Sequence, residues 1–179
     1  MKEIKRLSRN LVYKGSIIDY YRDEMQIPNG NTAMWDFIDH KGAAAVIAVL
    51  PDGKLVMVRQ YRNALERETV EIPAGGINPG EDMETAAIRE LREETGYIAG
   101  KSQFLLSIRT TVAFCNERID IYLATDLSKG EQDLDEDEFV NVESYELSEL
   151  IQMISESKIQ DSKTICAIMY YANMKDKLK

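Results

Sequence analysis

The sequence predicts an α/β protein in which a small antiparallel β-sheet precedes a larger domain of strands and helices. Short segments rich in β-branched and aromatic residues alternate with turn residues. One longer segment, residues 83–95, has its apolar residues at helical spacing. Two further helical patterns, residues 148–155 and 162–174, follow the last predicted strand. At 179 residues, the chain suits one ordinary globular domain with a small appendage.

The N-terminal part of the chain is predicted to form the small sheet. Residues 17–21 and 33–39 have the composition of strands, and the Pro-Asn-Gly-Asn sequence between them, at residues 28–31, is typical of a turn. We therefore assign residues 1–40 to an N-terminal antiparallel β segment and residues 41–179 to the main domain.

The main sheet is predicted to begin with a hairpin. Residues 43–50 and 55–61 are apolar strands, and Pro-Asp-Gly-Lys between them supplies the turn. Residues 69–72 form a short strand that Pro73 terminates, and the glycines after it leave a loop whose backbone can approach a ligand. The remaining predicted strands are residues 104–111, 119–124 and 139–145.

The boundaries of the helix at residues 83–95 follow from its flanking residues. Asp82 is a suitable N-cap, and the acidic Glu84 lies in the first turn, where the helix dipole favours negative charge. Gly96 suits the position just after the last helical residue.

Composition excludes several classes of function. Acidic residues outnumber basic ones by 31 to 22, and the net charge of -9 argues against a nucleic-acid-binding surface. The longest apolar run is far shorter than the ~20 residues that span a bilayer, and the N-terminus lacks the apolar stretch of a secretory signal. We therefore expect a cytoplasmic protein with no membrane contact. Cys115 and Cys166 alone build neither a disulfide framework nor a cysteine-rich zinc site.

Three carboxylates crowd one side of the predicted helix. Glu90, Glu93 and Glu94 fall within about 100° of one another at the edge of the apolar face, where their mutual repulsion is poorly screened. One interpretation is a solvated helix stabilised by pairs such as Arg89 with Glu93. The alternative is a divalent cation that neutralises the carboxylates, since Mg²⁺ and Mn²⁺ prefer hard oxygen ligands.

The spacing of these residues decides between the two interpretations. The segment resembles the complete Nudix box, with every fixed position filled by Gly75, Glu81, Arg89-Glu90-Leu91, Glu93-Glu94 and Gly96-Tyr97. The resemblance implies a Nudix-type α/β/α sandwich with a mixed β-sheet. It also implies hydrolysis of a nucleoside diphosphate linked to another moiety, with Mg²⁺ or possible Mn²⁺ as the cofactor.

The resemblance assigns roles by position. It implies that Glu90 and Glu94 are the principal metal ligands, that Glu93 binds metal directly or through water, and that the Ala74 carbonyl completes the coordination sphere. Arg89 would orient the glutamates, and Glu81 would be a supporting or weaker metal contact. The catalytic base is expected in the acidic loop at residues 133–138, where Glu136 and Glu138 are the candidates.

Two other segments resemble ADP-ribose pyrophosphatases and related nucleotide-sugar hydrolases. They are Glu-Ile-Pro-Ala-Gly-Gly at residues 71–76 and Arg-Gln-Tyr-Arg at residues 59–62. The resemblance implies that Arg59 and Arg62 contact phosphate or nucleoside, and Glu71 is placed with them as a substrate-binding residue. Either arginine is equally well explained as a solvated charge at a strand end.

The N-terminal segment also resembles that subgroup, in which it commonly exchanges between the subunits of a homodimer and helps to build the adenosine pocket. A homodimer is therefore expected here. Trp35 is a candidate for stacking on a base, and a role in the core or an interface is at least as well supported.

One departure from the subgroup concerns residues 111–117. Val112 and Ala113 stand where ADP-ribose pyrophosphatases usually have proline and glycine, so the loop is expected to close differently over the terminal ribose. Glu117 is retained as a candidate sugar contact, and its simpler role is a surface charge.

Together these resemblances imply a Mg²⁺-dependent pyrophosphohydrolase that cleaves ADP-ribose or a related nucleotide sugar to a nucleoside monophosphate and a sugar phosphate. A second hypothesis for an enzyme with the same box is a house-cleaning nucleotide pyrophosphohydrolase or an RNA-cap pyrophosphohydrolase. A non-catalytic nucleotide-sugar sensor is the alternative from another class, disfavoured because the box glutamates are intact.

Overall fold

A computed structural model describes residues 3–136 and 138–178. The chain divides into two compact units. The first comprises Met1–Gly42 and Arg109–Arg118, and the second comprises Ala43–Ile108 and Ile119–Lys179. None of the described helices is long and apolar enough to cross a membrane.

The first unit contains three successive antiparallel strands, β1 (Lys5–Lys14), β2 (Ile18–Gln26) and β3 (Thr32–His40). The sequence predicted the second and third strands, although β2 is longer than expected. It missed β1 because nearly all of its residues are exposed, so that no apolar alternation marks the strand.

A charged pair lies within this small sheet. The Arg9 guanidinium donates two hydrogen bonds, of 2.7 and 2.6 Å, to the buried carboxylate of Asp23. It also lies over the Phe37 ring, 3.7 Å from the ring centroid. The sheet is therefore held together by a bidentate ion pair and a cation–π contact in addition to its backbone ladder.

The second unit is built on a mixed sheet and three helices, as the sequence predicted. Among the described residues its strands and helices are β4 (Ala43–Val49), β5 (Leu55–Arg62), β6 (Arg67–Glu71), β7 (Ala74–Gly76), α1 (Met83–Thr95), β8 (Tyr97–Ile98), β9 (Lys101–Arg109), β10 (Arg118–Thr125), β11 (Ser128–Lys129), β12 (Val140–Tyr145), α2 (Leu147–Ser155) and α3 (Ser162–Met174). The main strand order is β12-β5-β4-β10-β9. Strand β10 runs parallel to β4, and β5 runs antiparallel to both β4 and β12.

The β4–β5 hairpin opens along its length, and β6 and β7 fill the gap. The two hairpin strands pair only near their turn, at Ala48 with Val56 and at Val49 with Leu55. Farther from the turn, β5 pairs with β6 and β4 pairs with β7. This insertion places the short strand Ala74–Gly76 within the sheet, directly before the loop that leads to α1.

Alternation along the strands separates the two faces of the sheet. Ala45 and Ile47 of β4 pack in a buried cluster with residues of α2 and α3. Val46 and Ala48 pack on the opposite face with Leu91 of α1. Because successive strand residues point to opposite faces, helices cover both sides of the sheet. The architecture is the predicted α/β/α sandwich.

Helix α1 has the predicted boundaries. The side chain of Asp82 accepts hydrogen bonds from the backbone N–H groups of Glu84 and Thr85, at 3.1 and 3.0 Å. Gly96 ends the helix with a φ of 73°, a conformation that favours glycine because glycine has no Cβ atom to clash with the backbone.

Candidate active site

Arg89 of α1 is the centre of a network of ion pairs and hydrogen bonds. Its Nε and Nη2 atoms donate to the two oxygens of Glu81, at 2.9 and 3.0 Å. Its Nη1 donates to Glu90 at 2.8 Å and to Glu93 at 2.7 Å, and Nη2 also donates to the carbonyl of Gly76 at 2.8 Å. One guanidinium therefore orients three of the box carboxylates and joins α1 to the end of β7.

Gly75 leaves room for the carboxylate of Glu90. A Cβ atom built on Gly75 would lie 2.2 Å from the Cδ atom of Glu90 and 2.3 Å from each of its oxygens. The equivalent atom on Gly76 would meet nothing within 4 Å. The glycine that opens the box is therefore required by a close approach of backbone and carboxylate.

Glu94 is a carboxylate buried in the unit, with 4 % of its surface exposed. One of its oxygens accepts a hydrogen bond of 3.0 Å from the backbone N–H of Ala74. Burial, reinforced by the negative charges of Glu90 and Glu138, raises the pKa of Glu94 to about 8 despite that hydrogen bond. The residue is thus held where its ionised form is unfavourable in the absence of a cation.

Glu90 is a second carboxylate of α1 whose ionised form is disfavoured by burial. Burial raises its pKa, the neighbouring Arg89 opposes that shift, and the charges of Glu93 and Glu138 add to it. Hard carboxylate oxygens that are partly desolvated and mutually repelling suit a divalent cation, which would favour their ionised forms. The residues of this segment therefore fit a metal site by their chemistry.

The described residues do not hold that site ready-made. In residues 3–136 and 138–178, no group of three or more His, Cys, Asp and Glu side chains is already arranged to bind a metal ion. Glu90 and Glu93 share the Nη1 atom of Arg89. Both carboxylates are therefore held by the guanidinium of Arg89 in this structure.

The acidic loop is attached to the C-terminal end of α1. Gln132 donates a hydrogen bond of 2.7 Å to the carbonyl of Glu94, and the Asp133 N–H donates one of 3.0 Å to the carbonyl of Glu93. Both predicted bases, Glu136 and Glu138, are exposed in this loop, and Asp137 between them lies outside the described residues.

Both predicted phosphate-binding arginines are paired with carboxylates. Arg59 donates to Glu143 of β12 at 2.7 and 3.0 Å. Arg62 donates through Nε and Nη2 to Glu71 at 2.8 and 2.7 Å, and 40 % of its side chain is exposed. Neither is a solitary solvated charge.

The other two predicted substrate contacts, Trp35 and Glu117, belong to the first unit. Trp35 lies on β3 with 45 % of its surface exposed. Glu117 accepts a hydrogen bond of 2.5 Å from Thr110, and its other oxygen lies 3.5 Å from Nε2 of His40. The departure at Val112 leaves that side chain 85 % exposed.

Lys163, near the start of α3, was missed by the sequence analysis. It is buried and forms ion pairs with Glu71 and Asp161. A lysine in the first turn of a helix is ordinarily solvated, so the sequence offered no reason to expect that Lys163 is buried. The one local signal is its position two residues after Asp161, with which it pairs.

Fold and site together define a class: an α/β/α sandwich protein in which a sheet-to-helix segment carries a glutamate cluster centred on one arginine. Residues 39–167 match the NUDIX domain. The chain belongs to the Nudix family.

Relatives align with nearly the whole chain. It is 43 % identical to the methanol dehydrogenase activator of Bacillus methanolicus over 94 % of this chain and 92 % of that protein. It is 40 % identical to the ADP-ribose pyrophosphatase of Bacillus subtilis (strain 168), with the same coverage of both chains. It is 30 % identical to the ADP-ribose pyrophosphatase of Mycobacterium tuberculosis (strain ATCC 25618 / H37Rv), over 93 % of this chain and 82 % of that protein.

A solved structure supports the fold. The chain superposes on the crystal structure of an ADP compounds hydrolase with a TM-score of 0.88, covering 99 % of this chain and 97 % of the other at 20 % sequence identity. At that identity the match establishes the shared fold. Nudix hydrolases generally need a divalent metal.

Proposed function

We propose that this Nudix hydrolase cleaves the diphosphate linkage of ADP-ribose or a related ADP-sugar to a nucleoside monophosphate and a sugar phosphate. The observation that carries the proposal is the buried, ionisation-disfavoured Glu94, hydrogen-bonded to Ala74 within a complete box. The names of the Bacillus subtilis and Mycobacterium tuberculosis relatives favour this substrate class.

Mg²⁺ is the proposed cofactor, with Mn²⁺ as a substitute. Glu90, Glu93, Glu94 and the Ala74 carbonyl would hold it, because they supply hard oxygen ligands on the box. When bound, the ion would neutralise phosphate oxygens and lower the pKa of an attacking water. Arg89 orients Glu90 and Glu93, two of these ligands, together with Glu81, through the hydrogen bonds that it donates to their carboxylates.

Arg62 is the proposed phosphate-binding cation, assisted by Arg59. Glu71 holds the Nε and Nη2 atoms of Arg62, and the structure records no hydrogen bond from its Nη1 atom to any described residue. That edge of the guanidinium is free to donate to an anionic oxygen of the substrate.

Glu138 is the proposed general base. Its charge contributes, after burial, to the raised pKa of both Glu90 and Glu94, so it acts electrostatically on the two principal metal ligands. This supports Glu138 over Glu136. Glu138→Gln is expected to lower kcat by about 100-fold, as loss of a general base typically does, whereas Glu136→Gln serves as the matched loop control. A larger loss in the Glu136 variant would reverse the assignment.

The substrate class is tested with purified protein, Mg²⁺ and a panel of nucleotide sugars, dinucleotides and nucleoside triphosphates, with product release followed by chromatography. We expect ADP-ribose or another ADP-sugar to give the highest kcat/KM. Turnover confined to nucleoside triphosphates would reject the proposal.

A homodimer is proposed from the exposed apolar side chains of the first unit. Leu7, Leu11, Val12 and Tyr13 of β1 are each 46 to 65 % exposed, an unusual concentration for a solvated strand. Light scattering during gel filtration should give twice the mass of the chain, and a monomer at all concentrations would exclude the dimer.

A second candidate function is activation of a methanol dehydrogenase, which the name of the Bacillus methanolicus relative favours. Addition of the wild-type protein to a purified methanol dehydrogenase, with Glu94→Gln alongside, tests it. Equal stimulation by both proteins would show an activation that does not need the hydrolase site.

A further inference from the structure

We propose that Lys163 of α3 is a positioning residue that orients the phosphate-binding Arg62 through the carboxylate of Glu71. This inference rests on the proposed function, and it assigns a role to a helix that contributes no residue to the Nudix box.

Glu71 is the carboxylate through which the two cations are connected. Its side chain is 3 % exposed. One oxygen accepts from Nε of Arg62 at 2.8 Å and from the Thr69 hydroxyl at 2.6 Å. The other accepts from Nη2 of Arg62 at 2.7 Å and from the Lys163 ammonium. A carboxylate has about four acceptor sites, so protein donors use its full capacity.

This arrangement gives Glu71 an indirect role. With its acceptor sites filled by Arg62, Thr69 and Lys163, the carboxylate has no oxygen left with which to bind a substrate hydroxyl. We infer that it serves to hold Arg62, the exposed member of the cluster.

Lys163 is itself held in place from two sides. Its side chain is 10 % exposed, and its ammonium donates to Asp161 at 3.0 Å as well as to Glu71. Asp161 also caps α3, accepting from the N–H of Thr164 at 3.0 Å. The Thr164 hydroxyl in turn accepts a hydrogen bond of 3.0 Å from the Ile72 N–H. The first turn of α3 is therefore bound to the backbone that leads into the box.

The cluster borders a pocket of about 320 Å³ whose lining includes Arg62, Thr69, Glu71, Gln160, Asp161 and Lys163. Two cations, Arg62 and Lys163, balance the carboxylates of Glu71 and Asp161. Loss of Lys163 would leave a net negative charge beside the guanidinium that has to attract an anionic diphosphate. It would also free one acceptor site on Glu71, allowing that carboxylate to rotate and Arg62 to move with it.

Steady-state kinetics with ADP-ribose test the role. Lys163→Met is expected to raise KM about tenfold, the effect of weakening one charge-assisted hydrogen bond, with kcat changed by less than about threefold. Lys163→Arg should restore KM to within about threefold of wild type because it keeps the charge. Lys158→Met is the matched control, since the Lys158 side chain is 65 % exposed and, among the described residues, its ion pair is with the nearby Glu156. It should leave both constants unchanged.

A double-mutant cycle separates positioning from general stability. In the Glu71→Gln background, Lys163→Met should add little to KM, because the group through which it acts is already altered. Additive effects on KM, or a lowered Tm with KM unchanged in Lys163→Met, would overturn the proposal. Lys163→Gln replaces Lys163→Met if the methionine variant does not fold.

A direct readout does not depend on turnover. The Nε–H signal of Arg62 in a nitrogen-15 NMR spectrum, assigned by its absence in Arg62→Lys, should exchange slowly with solvent in wild type and at least about tenfold faster in Lys163→Met. Equal exchange rates would reject the positioning role even if ADP-ribose is hydrolysed. Faster exchange in Lys163→Met than in wild type, combined with a wild-type protein that hydrolyses no nucleotide sugar, would retain the positioning role and reject the proposed function.

Discussion

Gly75 and Gly76 are adjacent glycines with different steric surroundings, and the difference yields a matched test. Gly75→Ala would place a methyl group 2.2 Å from the Glu90 carboxylate carbon, whereas Gly76→Ala would place one in open space. We expect Gly75→Ala to lower the free energy of unfolding by about 1–3 kcal/mol and kcat at least tenfold, because Glu90 must move. Gly76→Ala should change stability by less than about 0.5 kcal/mol.

The two glycine variants are compared by urea denaturation and by initial rates with the substrate found in the panel. Since the substitution is the same and the positions are neighbours, differences in chain entropy largely cancel. Equal stability and activity of the two variants would contradict the view that Gly75 makes room for Glu90.

The surroundings of Glu71 bear on the role that was predicted for it. The sequence placed Glu71 with Arg59 and Arg62 among the substrate-binding residues. Its acceptor sites are filled by Arg62, Thr69 and Lys163, which supports an indirect role through Arg62. Sequence spacing can assign a residue to a site, but it cannot count the donors that surround it.

At the scale of elements, α3 is attached to β6 through Glu71, and this contact should depend on pH. Burial alone would raise the pKa of Glu71, but hydrogen bonds and charge from Arg62 and Lys163 outweigh it and lower the pKa from 4.5 to about 2. A carboxylate whose pKa is lowered by folding stabilises the folded state above its unfolded pKa. That stability is lost as the pH falls through about 4.5 toward 2.

Urea denaturation of wild type and Glu71→Gln at about pH 6 and pH 3 measures this contribution. The free energy of unfolding of wild type should exceed that of the variant by about 3 kcal/mol at the higher pH, which is the free-energy equivalent of the pKa shift, and by about half of that or less at the lower pH. Glu156→Gln is the control, because that carboxylate pairs with Lys158 at the surface, where ion pairs contribute little. A stability difference for Glu71→Gln that does not change with pH would refute the ion-pair explanation.

Elements with local signals were predictable from sequence, and elements formed by distant contacts were not. Helix α1 combines an N-cap at Asp82, helical periodicity and a terminal Gly96, so its bounds agree with the prediction. Strand β7 is only Ala-Gly-Gly, and it pairs as a strand because the distant β4–β5 hairpin opens to admit it. The burial of Lys163 likewise depends on Glu71, 92 residues earlier.

For the molecule as a whole, a negative net charge does not prevent the binding of a negatively charged substrate. The chain carries a formal charge of -9, yet the second unit contains Arg62 and Lys163 beside one pocket and Arg89 within the box. Electrostatic fields act over about a Debye length, roughly 8 Å at physiological salt, so a bound diphosphate would respond to the nearby side chains, such as the exposed edge of Arg62, more than to the global excess of acid. The same excess favours uptake of a divalent cation.

Cation binding should therefore change the stability of the whole protein in a way that depends on Glu94. Without metal, burial raises the pKa of Glu94 to about 8, so holding it ionised near pH 8.5 costs free energy that Glu94→Gln avoids. In EDTA at that pH, we expect the variant to be at least as stable as wild type.

A ligand that binds only the folded state adds about 2.7 kcal/mol at 100 times its Kd. Saturating Mg²⁺ should thus raise the Tm of wild type by several degrees and that of Glu94→Gln by much less, reversing their order. Differential scanning calorimetry with NaCl of matched ionic strength as the control measures both differences, and equal Mg²⁺-induced shifts in the two proteins would remove Glu94 from the metal site.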